Sequence, residues 1–140
     1  MKWLDIHIDG ASKGNPGPAG IGVVIHEDGQ VVKNLSVFIG ETTNNFAEYT
    51  ALIHALEQAL ILKADAVKIN TDSQLLCRQI NKEYKIKSAN IIGLYNQAVQ
   101  LIAAFKEFSI RHIPREENTG ADKLANLAVK QALRKSVVTT

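Results

Sequence analysis

The sequence is poor in cysteine and proline and contains no long hydrophobic run. Its 140 residues include one cysteine, Cys77, and three prolines. A single cysteine excludes an internal disulfide and a cysteine-based metal cluster, and it is compatible with a reducing compartment. No stretch approaches the about 18 apolar residues of a membrane span. The polar residues Asp5, His7 and Asp9 leave no unbroken apolar stretch near the N-terminus for a signal peptide. We therefore expect a cytoplasmic protein with no membrane contact.

Net charge is also small, but the charges are unevenly distributed. Sixteen basic and 14 acidic residues give a formal charge of +2. Residues 1–70 carry five lysines and eight acids, whereas residues 71–140 carry eleven basic residues and six acids. A basic second half is compatible with a polyanionic partner, although a solvated surface of mixed charge is the simpler interpretation. Composition alone therefore does not decide the partner.

The length and the hydrophobic pattern predict one domain over residues 1–135, followed by a frayed tail at 136–140. Branched residues on both sides of Asp28-Gly29 predict a hairpin. The glycine- and proline-rich residues 10–20 predict a turn or loop. The predicted order is βββαβααβα, with strands at 3–9, 21–26, 31–39, 67–71 and 108–113 and helices at 45–62, 73–80, 89–106 and 120–135. This order favours an α/β fold in which helices cover one mixed sheet.

Four acidic residues lie at the ends of these elements, and each has a structural explanation of its own. Asp9 fits an Asp-Gly turn, and Glu48 fits a capping box with Asn45 as the N-cap. Asp72 could cap the helix that follows it. Asp122, in the first turn of the last helix, would interact favourably with the helix dipole. Taken singly, none of the four requires a functional role.

Taken together, the four acids favour a metal site. Each falls at the C-terminal end of a strand or the N-terminal end of a helix, so several can converge at one end of the sheet. Converging carboxylates repel one another, and divalent cations relieve that repulsion. Oxygen ligands without a Cys/His pattern favour Mg²⁺ or Mn²⁺, and four carboxylates suffice for two ions. Two ions about 3.5–4 Å apart would support phosphodiester hydrolysis.

The four acids belong to four sequence blocks: DGASKGNPGPAG at 9–20, TNNFAEY at 43–49, TDSQ at 71–74 and NTGAD at 118–122. In this order the blocks resemble the signatures of type 1 ribonucleases H, and the resemblance covers residues 2–135. It implies a ribonuclease H-like fold, with a five-stranded mixed sheet flanked by helices. It also implies an endonuclease that cleaves the RNA strand of an RNA/DNA hybrid, leaving 5′-phosphate and 3′-hydroxyl ends. The positions that match the family's metal-binding acids are Asp9, Glu48, Asp72 and Asp122, with Asp9 expected to bridge both ions.

The same blocks supply the substrate contacts that the resemblance implies. Thr43 matches a position that grips a phosphate of the DNA strand, and Gly10 and Ser73 lie in the same blocks and belong to the expected binding set. Short amides can reach base edges and the 2′-hydroxyl that distinguishes RNA from DNA. The expected partner is an RNA/DNA hybrid bound by a monomer, with no obligatory protein partner. The positions that match minor-groove contacts are Asn15, Asn44, Asn45 and Gln74.

Two departures from the family pattern concern the auxiliary catalytic group and the affinity. Many members carry a longer loop with a catalytic histidine before the last acid, whereas residues 112–118 are compact, as in the short-loop branch. His112 is the positional match, although a packed structural role fits it equally well. Arg115 could instead reach a phosphate or assist product release. Residues 81–88 contain lysines but leave no room for the basic protrusion of some relatives, so we expect modest, salt-sensitive binding.

Two other function classes remain open on the sequence alone. One is a non-catalytic nucleic-acid-binding module with the same fold, although intact acids at all four positions disfavour it. The other is a different nuclease of the superfamily, such as a junction resolvase or an integrase-like enzyme. The Gly- and Asn-rich blocks favour the ribonuclease over both.

Overall fold

The first three strands form an antiparallel meander. The computed structural model describes residues 1–138, and only the backbone of 136–138. β1 (Trp3–Ser12), β2 (Gly17–Glu27) and β3 (Gln30–Thr42) pair in sequence order. Asp28 and Gly29 have positive φ angles of 52° and 79°, as a two-residue hairpin of the primed type requires. The predicted Asp-Gly hairpin is therefore confirmed.

Two parallel strands complete the sheet. β4 (Ala66–Thr71) pairs with β1, and β5 (Glu107–His112) pairs with β4, which gives the strand order β3-β2-β1-β4-β5. Parallel strands need a crossover rather than a tight turn, and helix α1 (Asn44–Ile61) provides it between β3 and β4. The predicted five-stranded mixed sheet is thus confirmed.

Helices cover both faces of this sheet. α1 packs on β1 and β2, and α3 (Ala89–Ile102) packs against α1. α4 (Thr119–Val138) lies across β1, β2 and β3 on the opposite face. The short α2 (Gln74–Ile80) contacts β5, and a 3-10 turn at Arg115–Glu117 precedes α4. The core under α1 consists mainly of aliphatic side chains, including Leu4, Ile6, Ile8, Tyr49, Leu52 and Leu56.

Two glycines of β2 allow α4 to lie directly on the sheet. A β-carbon at Gly22 would come within 2.0 Å of the Ala121 carbonyl oxygen, and one at Gly20 within 2.4 Å of the Ala125 carbonyl oxygen. Gly22 is also the antiparallel partner of Asp9. Because α4 approaches β2 at this point, the first turn of α4 is held beside the residue that pairs with Asp9.

Several boundaries differ from the sequence predictions. β1 and β2 extend into the glycine-rich stretch, so the predicted loop at 10–20 shortens to 13–16, since its glycines pair in the ladder. α3 ends at Ile102 rather than 106, because Phe105 turns back into the core. α4 passes the predicted end at 135 and reaches Val138, because no glycine or proline interrupts it. The expected tail at 136–140 therefore begins too early, and 139–140 lie outside the described residues.

Within residues 1–138, no helix combines the length and the apolar character that crossing a membrane requires.

Candidate active site

Parallel pairing of β1 and β4 brings Asp9 and Asp72 to the same edge of the sheet. Ile8 pairs with Thr71, the last residue of β4, so the next residue along each chain segment is an aspartate. This is the C-terminal edge of both strands, where open α/β sheets place their sites. Asp9 is only 5% exposed, and Asp72 is half-buried. The strand register therefore fixes the first pair of acids.

Glu48 reaches the same edge from the first turns of α1. The backbone N–H of Gly10 donates a hydrogen bond to Glu48 Oε1 at 2.5 Å. A β-carbon at Gly10 would lie 2.3 Å from the Ala47 carbonyl carbon, so the helix and β1 approach each other too closely for any other residue. Glycine at position 10 therefore lets α1 deliver Glu48 to Asp9.

The structural explanations for Glu48 and Asp72 are wrong. The N-cap of α1 is Thr43, whose hydroxyl accepts a hydrogen bond from the Phe46 N–H at 3.2 Å. Asn45 therefore lies inside the helix, and the predicted capping box does not form. Ser73 is likewise the N-cap of α2, which leaves Asp72 without a capping role. Neither Glu48 nor Asp72 therefore has the helix-capping role that its position in the sequence predicted.

Oxygen atoms of Asp9, Glu48 and Asp72 lie within 4.8 Å of one another. Burial, with the charges of Glu48 and Asp72, raises the pKa of Asp9 to about 9. Burial and the charge of Asp72 raise the pKa of Glu48 to about 8, against the opposing effects of the Gly10 hydrogen bond and the Arg115 charge. A buried group of carboxylates without Cys or His is the donor set of a hard divalent cation. The three residues therefore fit Mg²⁺ or Mn²⁺ and do not fit a zinc site.

Asp122 lies beside this group. It lines a cavity of about 450 Å³ together with the three acids, and its carboxyl contributes to the raised pKa of Asp9. Asn126, one turn further along α4, donates through Nδ2 to Asp122 Oδ1 at 3.2 Å and to the Asp122 carbonyl at 2.9 Å. All four predicted acids thus face one cavity, with Asp122 outside the tightest group of three.

The cavity also contains Arg115 but not His112. Arg115 lines it from the 3-10 turn, and its charge lowers the pKa of Glu48. His112 ends β5, pairs with Thr71 and is exposed. The packed structural role offered for His112 is therefore wrong, because its side chain is exposed between the buried residues Ile110 and Ile113. Between the two candidates for the auxiliary role, the fold brings Arg115 to the acids.

Some of the predicted substrate residues line the cavity and others do not. Gly10 and Asn44 line it, and Asn15 Oδ1 accepts a hydrogen bond from the Asn44 N–H at 2.9 Å. Thr43 and Ser73 are the two helix caps already described. Asn45 and Gln74 begin α1 and α2 without lining the cavity. Asn15 and Asn44 are therefore linked into one surface beside the acids, whereas among the described residues Asn45 is not linked to them.

Comparisons with known proteins agree with this arrangement. A sequence-family model described as Reverse transcriptase-like matches residues 7–128. A ribonuclease H from Stutzerimonas stutzeri is 31% identical over 150 residues, covering 97% of this chain and 97% of that protein. The chain belongs to the ribonuclease H family. Ribonuclease HI from Halobacterium salinarum is 41% identical over 90% of this chain.

Solved structures of the family share the fold closely. LC11-RNase H1, in complex with an RNA/DNA hybrid, matches with a TM-score of 0.88 and 41% identity, covering 93% of this chain and 99% of that one. The lengths of relatives differ, however. The chain spans 35% of the length of a bifunctional protein from Mycobacterium tuberculosis and 64% of that of the Halobacterium salinarum protein.

Three site residues of this ribonuclease H-family chain were missed by the sequence reasoning. Asn118 is 1% exposed and donates through Nδ2 to the Ile8 carbonyl at 2.8 Å, which ties the segment before α4 to β1. Ser12 donates from its backbone N–H to Asn44 Oδ1 at 3.0 Å. Asn126 donates hydrogen bonds through Nδ2 to the carbonyl and to Oδ1 of Asp122. Asn118 and Ser12 lie within the signature blocks, and Asn126 follows Asp122 by one helical turn, so spacing offered a signal for each.

Proposed function

We propose that this chain is a divalent-metal-dependent endonuclease that hydrolyses the RNA strand of RNA/DNA hybrids. The observation that carries the proposal is the group of three carboxylates, two buried and one half-buried, within 4.8 Å of one another at the sheet edge, in a chain of the ribonuclease H family. Carboxylates held this close, with the pKa values of Asp9 and Glu48 raised, are arranged to receive cations rather than to stabilise the fold. The products are a 5′-phosphate and a 3′-hydroxyl.

The four acids are assigned as ligands of two Mg²⁺ or Mn²⁺ ions. Asp9, whose pKa is raised by Glu48, Asp72 and Asp122, would be the ligand shared by both ions. When bound, such a pair of ions activates water and stabilises the leaving oxygen of a phosphodiester. Gly10 holds the Glu48 carboxylate through its N–H, and Asn126 holds Asp122. The protein therefore fixes the ligand positions before the substrate arrives.

Arg115 is assigned to the phosphate of the substrate. It is an exposed guanidinium on a 3-10 turn at the wall of the acid cavity, anchored by the buried Asn118 next to that turn. A guanidinium binds phosphate oxygens through paired hydrogen bonds, and there it would offset charge that develops during hydrolysis. His112 stays the less favoured candidate for this auxiliary role.

Selectivity for a hybrid is assigned to four amide side chains, which we call the amide surface: Asn15, Asn44, Asn45 and Gln74. Thr43 is assigned to a phosphate of the DNA strand, and Ser73 lies beside Gln74 in the sequence. Asn44 extends this surface to the wall of the acid cavity, where its Oδ1 accepts a hydrogen bond from the Ser12 N–H. Amides and the Gly10 backbone can read the 2′-hydroxyl that RNA alone carries. The hybrid complex of LC11-RNase H1, at 41% identity, supports this choice of substrate.

The finer assignment is to the type 1, short-loop branch without a basic protrusion. Residues 1–135 would act as a single catalytic domain, monomeric and cytoplasmic, without an obligatory protein partner. The compact segment between β5 and α4 supports the branch, since a 3-10 turn and three further residues span it. A junction resolvase, the alternative nuclease, would instead cut four-way DNA junctions, so these junctions serve as the control substrate.

The test is cleavage of a labelled RNA/DNA hybrid beside duplex RNA, duplex DNA and a four-way DNA junction, with Mg²⁺ or Mn²⁺. We expect cleavage of the RNA strand of the hybrid and no cleavage by Asp9→Asn. Asp28→Asn, which makes the same change in the exposed β2–β3 turn, serves as the matched control and should cut normally. Binding of hybrid without cleavage under either metal would establish the non-catalytic module instead.

A further inference from the structure

Three lysines form a basic surface next to the acid cavity. Lys13, from the loop between β1 and β2, and Lys123 and Lys130, from α4, line a second cavity of about 350 Å³. Lys123, Asn126, Leu127 and Lys130 follow one another at helical spacing, so α4 turns a single face toward this cavity. We call Lys13, Lys123 and Lys130 the lysine surface.

The lysine surface keeps an excess of positive charge, because its cavity is lined by three lysines and one carboxylate, that of Asp122. Ion pairs among the residues that the structure describes are Lys2–Glu27 and Lys106–Asp65, and neither involves these three lysines. All three are exposed. Leu127 lies among them with 42% of its surface exposed, an apolar side chain within a charged face. An excess of positive charge around an apolar side chain is suited to a ligand that is anionic and also has apolar parts, as a sugar-phosphate backbone has.

The two cavities adjoin each other. Asp122 and Asn126 line both of them, so the lysine surface lies next to the acid cavity along α4. Asn44 of the amide surface lines the acid cavity but not the lysine one. A strand bound at the acids would therefore meet Asn44 in the acid cavity and lysines in the adjoining one.

We propose that the lysine surface binds the backbone of the RNA strand that is being cut, at phosphates next to the one held by the acids. The inference rests on the proposed function. Each strand carries one phosphate per about 3.4 Å of helix axis, so a strand with one phosphate in the acid cavity brings its neighbours to the mouth of that cavity. The lysine surface lies at the α4 side of that cavity mouth. Its lysines therefore contribute affinity for the hybrid in a chain without the basic protrusion.

The test compares hybrid binding by Lys123→Gln/Lys130→Gln with binding by Lys33→Gln/Lys63→Gln. Lys33 near the start of β3 and Lys63 after α1 lie toward the end of the fold away from the acids, so the control makes the same charge change elsewhere. All measurements use an Asp9→Asn background, so that the hybrid stays intact. We expect the slope of log affinity against log salt to fall by about 2 in the first variant, about 0.9 per lost phosphate contact, and to stay unchanged in the control.

A second measurement assigns the strand. Uncharged methylphosphonate linkages beside the cleavage position are placed either in the RNA strand or in the DNA strand. Neutral linkages in the RNA strand should abolish the difference between Lys123→Gln/Lys130→Gln and its parent, whereas neutral linkages in the DNA strand should preserve it. An unchanged salt slope, or a difference that disappears only with the modified DNA strand, would overturn the inference.

Different results would refute the role of the lysine surface and the proposed function. Absence of hybrid cleavage by the unmodified chain, with both metals, would refute the ribonuclease assignment. Normal cleavage combined with an unchanged salt slope of the lysine variant would refute only the role of the lysine surface. Lys13→Gln added to the double variant extends the series, and a further fall of about 1 in the slope is expected.

Discussion

The backbone N–H of Gly10 donates a 2.5 Å hydrogen bond to the carboxylate of Glu48, and this contact joins β1 to α1 at the acid cavity. The bond requires the helix to lie almost on the strand. Residue 10 therefore connects the packing of the fold with the position of a proposed metal ligand, and several consequences of that arrangement can be measured.

Gly10→Ala should destabilise the protein and reduce hybrid cleavage. Its β-carbon would come within 2.3 Å of the backbone of Ala47, so the helix must shift and move Glu48. Overpacking of this kind costs about 1–3 kcal/mol. Gly93→Ala is the matched control, because nothing lies within 4 Å of its β-carbon in α3, and replacing a helical glycine stabilises by about 0.5–1 kcal/mol. Urea unfolding of both variants measures the two effects, and equal stability would contradict the account.

Asp9→Asn should stabilise the metal-free protein at neutral pH while abolishing cleavage. The folded pKa of Asp9, about 9, lies above its ordinary value of 3.8. Stability from such a group is fully present below about pH 4 and is lost as pH rises through 9. Asp9→Asn removes the carboxylate and therefore removes this loss of stability with rising pH. Thermal unfolding in EDTA from pH 5 to pH 9 should show a smaller decline for Asp9→Asn than for the parent or for Asp28→Asn.

Divalent metal should stabilise the parent and not Asp9→Asn. A ligand that binds only the folded state raises its melting temperature according to concentration and affinity. Titration with Mg²⁺ or Mn²⁺, followed by thermal unfolding, measures this directly. Equal shifts in the parent and the variant would show that the metals bind elsewhere and would remove Asp9 from the proposed ligands.

Arg115→Ala should slow cleavage under saturating metal by about 10- to 100-fold, the scale of a hydrogen bond to a charged group at about 1.5–3 kcal/mol. His112→Ala should retain nearly the parent rate, because His112 does not line the acid cavity. Single-turnover kinetics of the two variants provide the comparison. A reversed order of effects would return the auxiliary role to His112, and parent rates for both would remove each from the catalytic set.

Asn118→Ala should destabilise the protein by about 1–3 kcal/mol, the cost of leaving a buried polar group without its partner. The lost bond is the one from Asn118 Nδ2 to the Ile8 carbonyl. Because that bond anchors the segment carrying Arg115 and Asp122, cleavage should fall more than for an exposed change such as Glu116→Ala. Chemical unfolding and cleavage rates together test this, and loss of stability without loss of rate would limit Asn118 to the fold.

Much of the fold could be predicted from the sequence, because local patterns determine it. Alternating residues in β1 and Asp28-Gly29 predict a hairpin regardless of the rest of the chain. The helix ends were less predictable. Thr43 and Asn45 are both suitable caps, and packing of α1 against β1 through Gly10 decides between them. Phe105 likewise ends α3 early, because burial in the core outweighs helical spacing.

By itself, the sequence determined the element types, the mixed sheet and the four acids within their ordered blocks, since residue periodicity, turn chemistry and motif order are local properties. Only the tertiary structure decided what those residues touch. It brought Arg115 rather than His112 to the cavity, released Glu48 and Asp72 from capping, and placed Asn126 and the lysine surface beside Asp122. The reason is that such neighbours depend on strand register and on how closely a helix can approach the sheet at Gly10 and Gly22, and the chain fixes those distances only when the whole core packs.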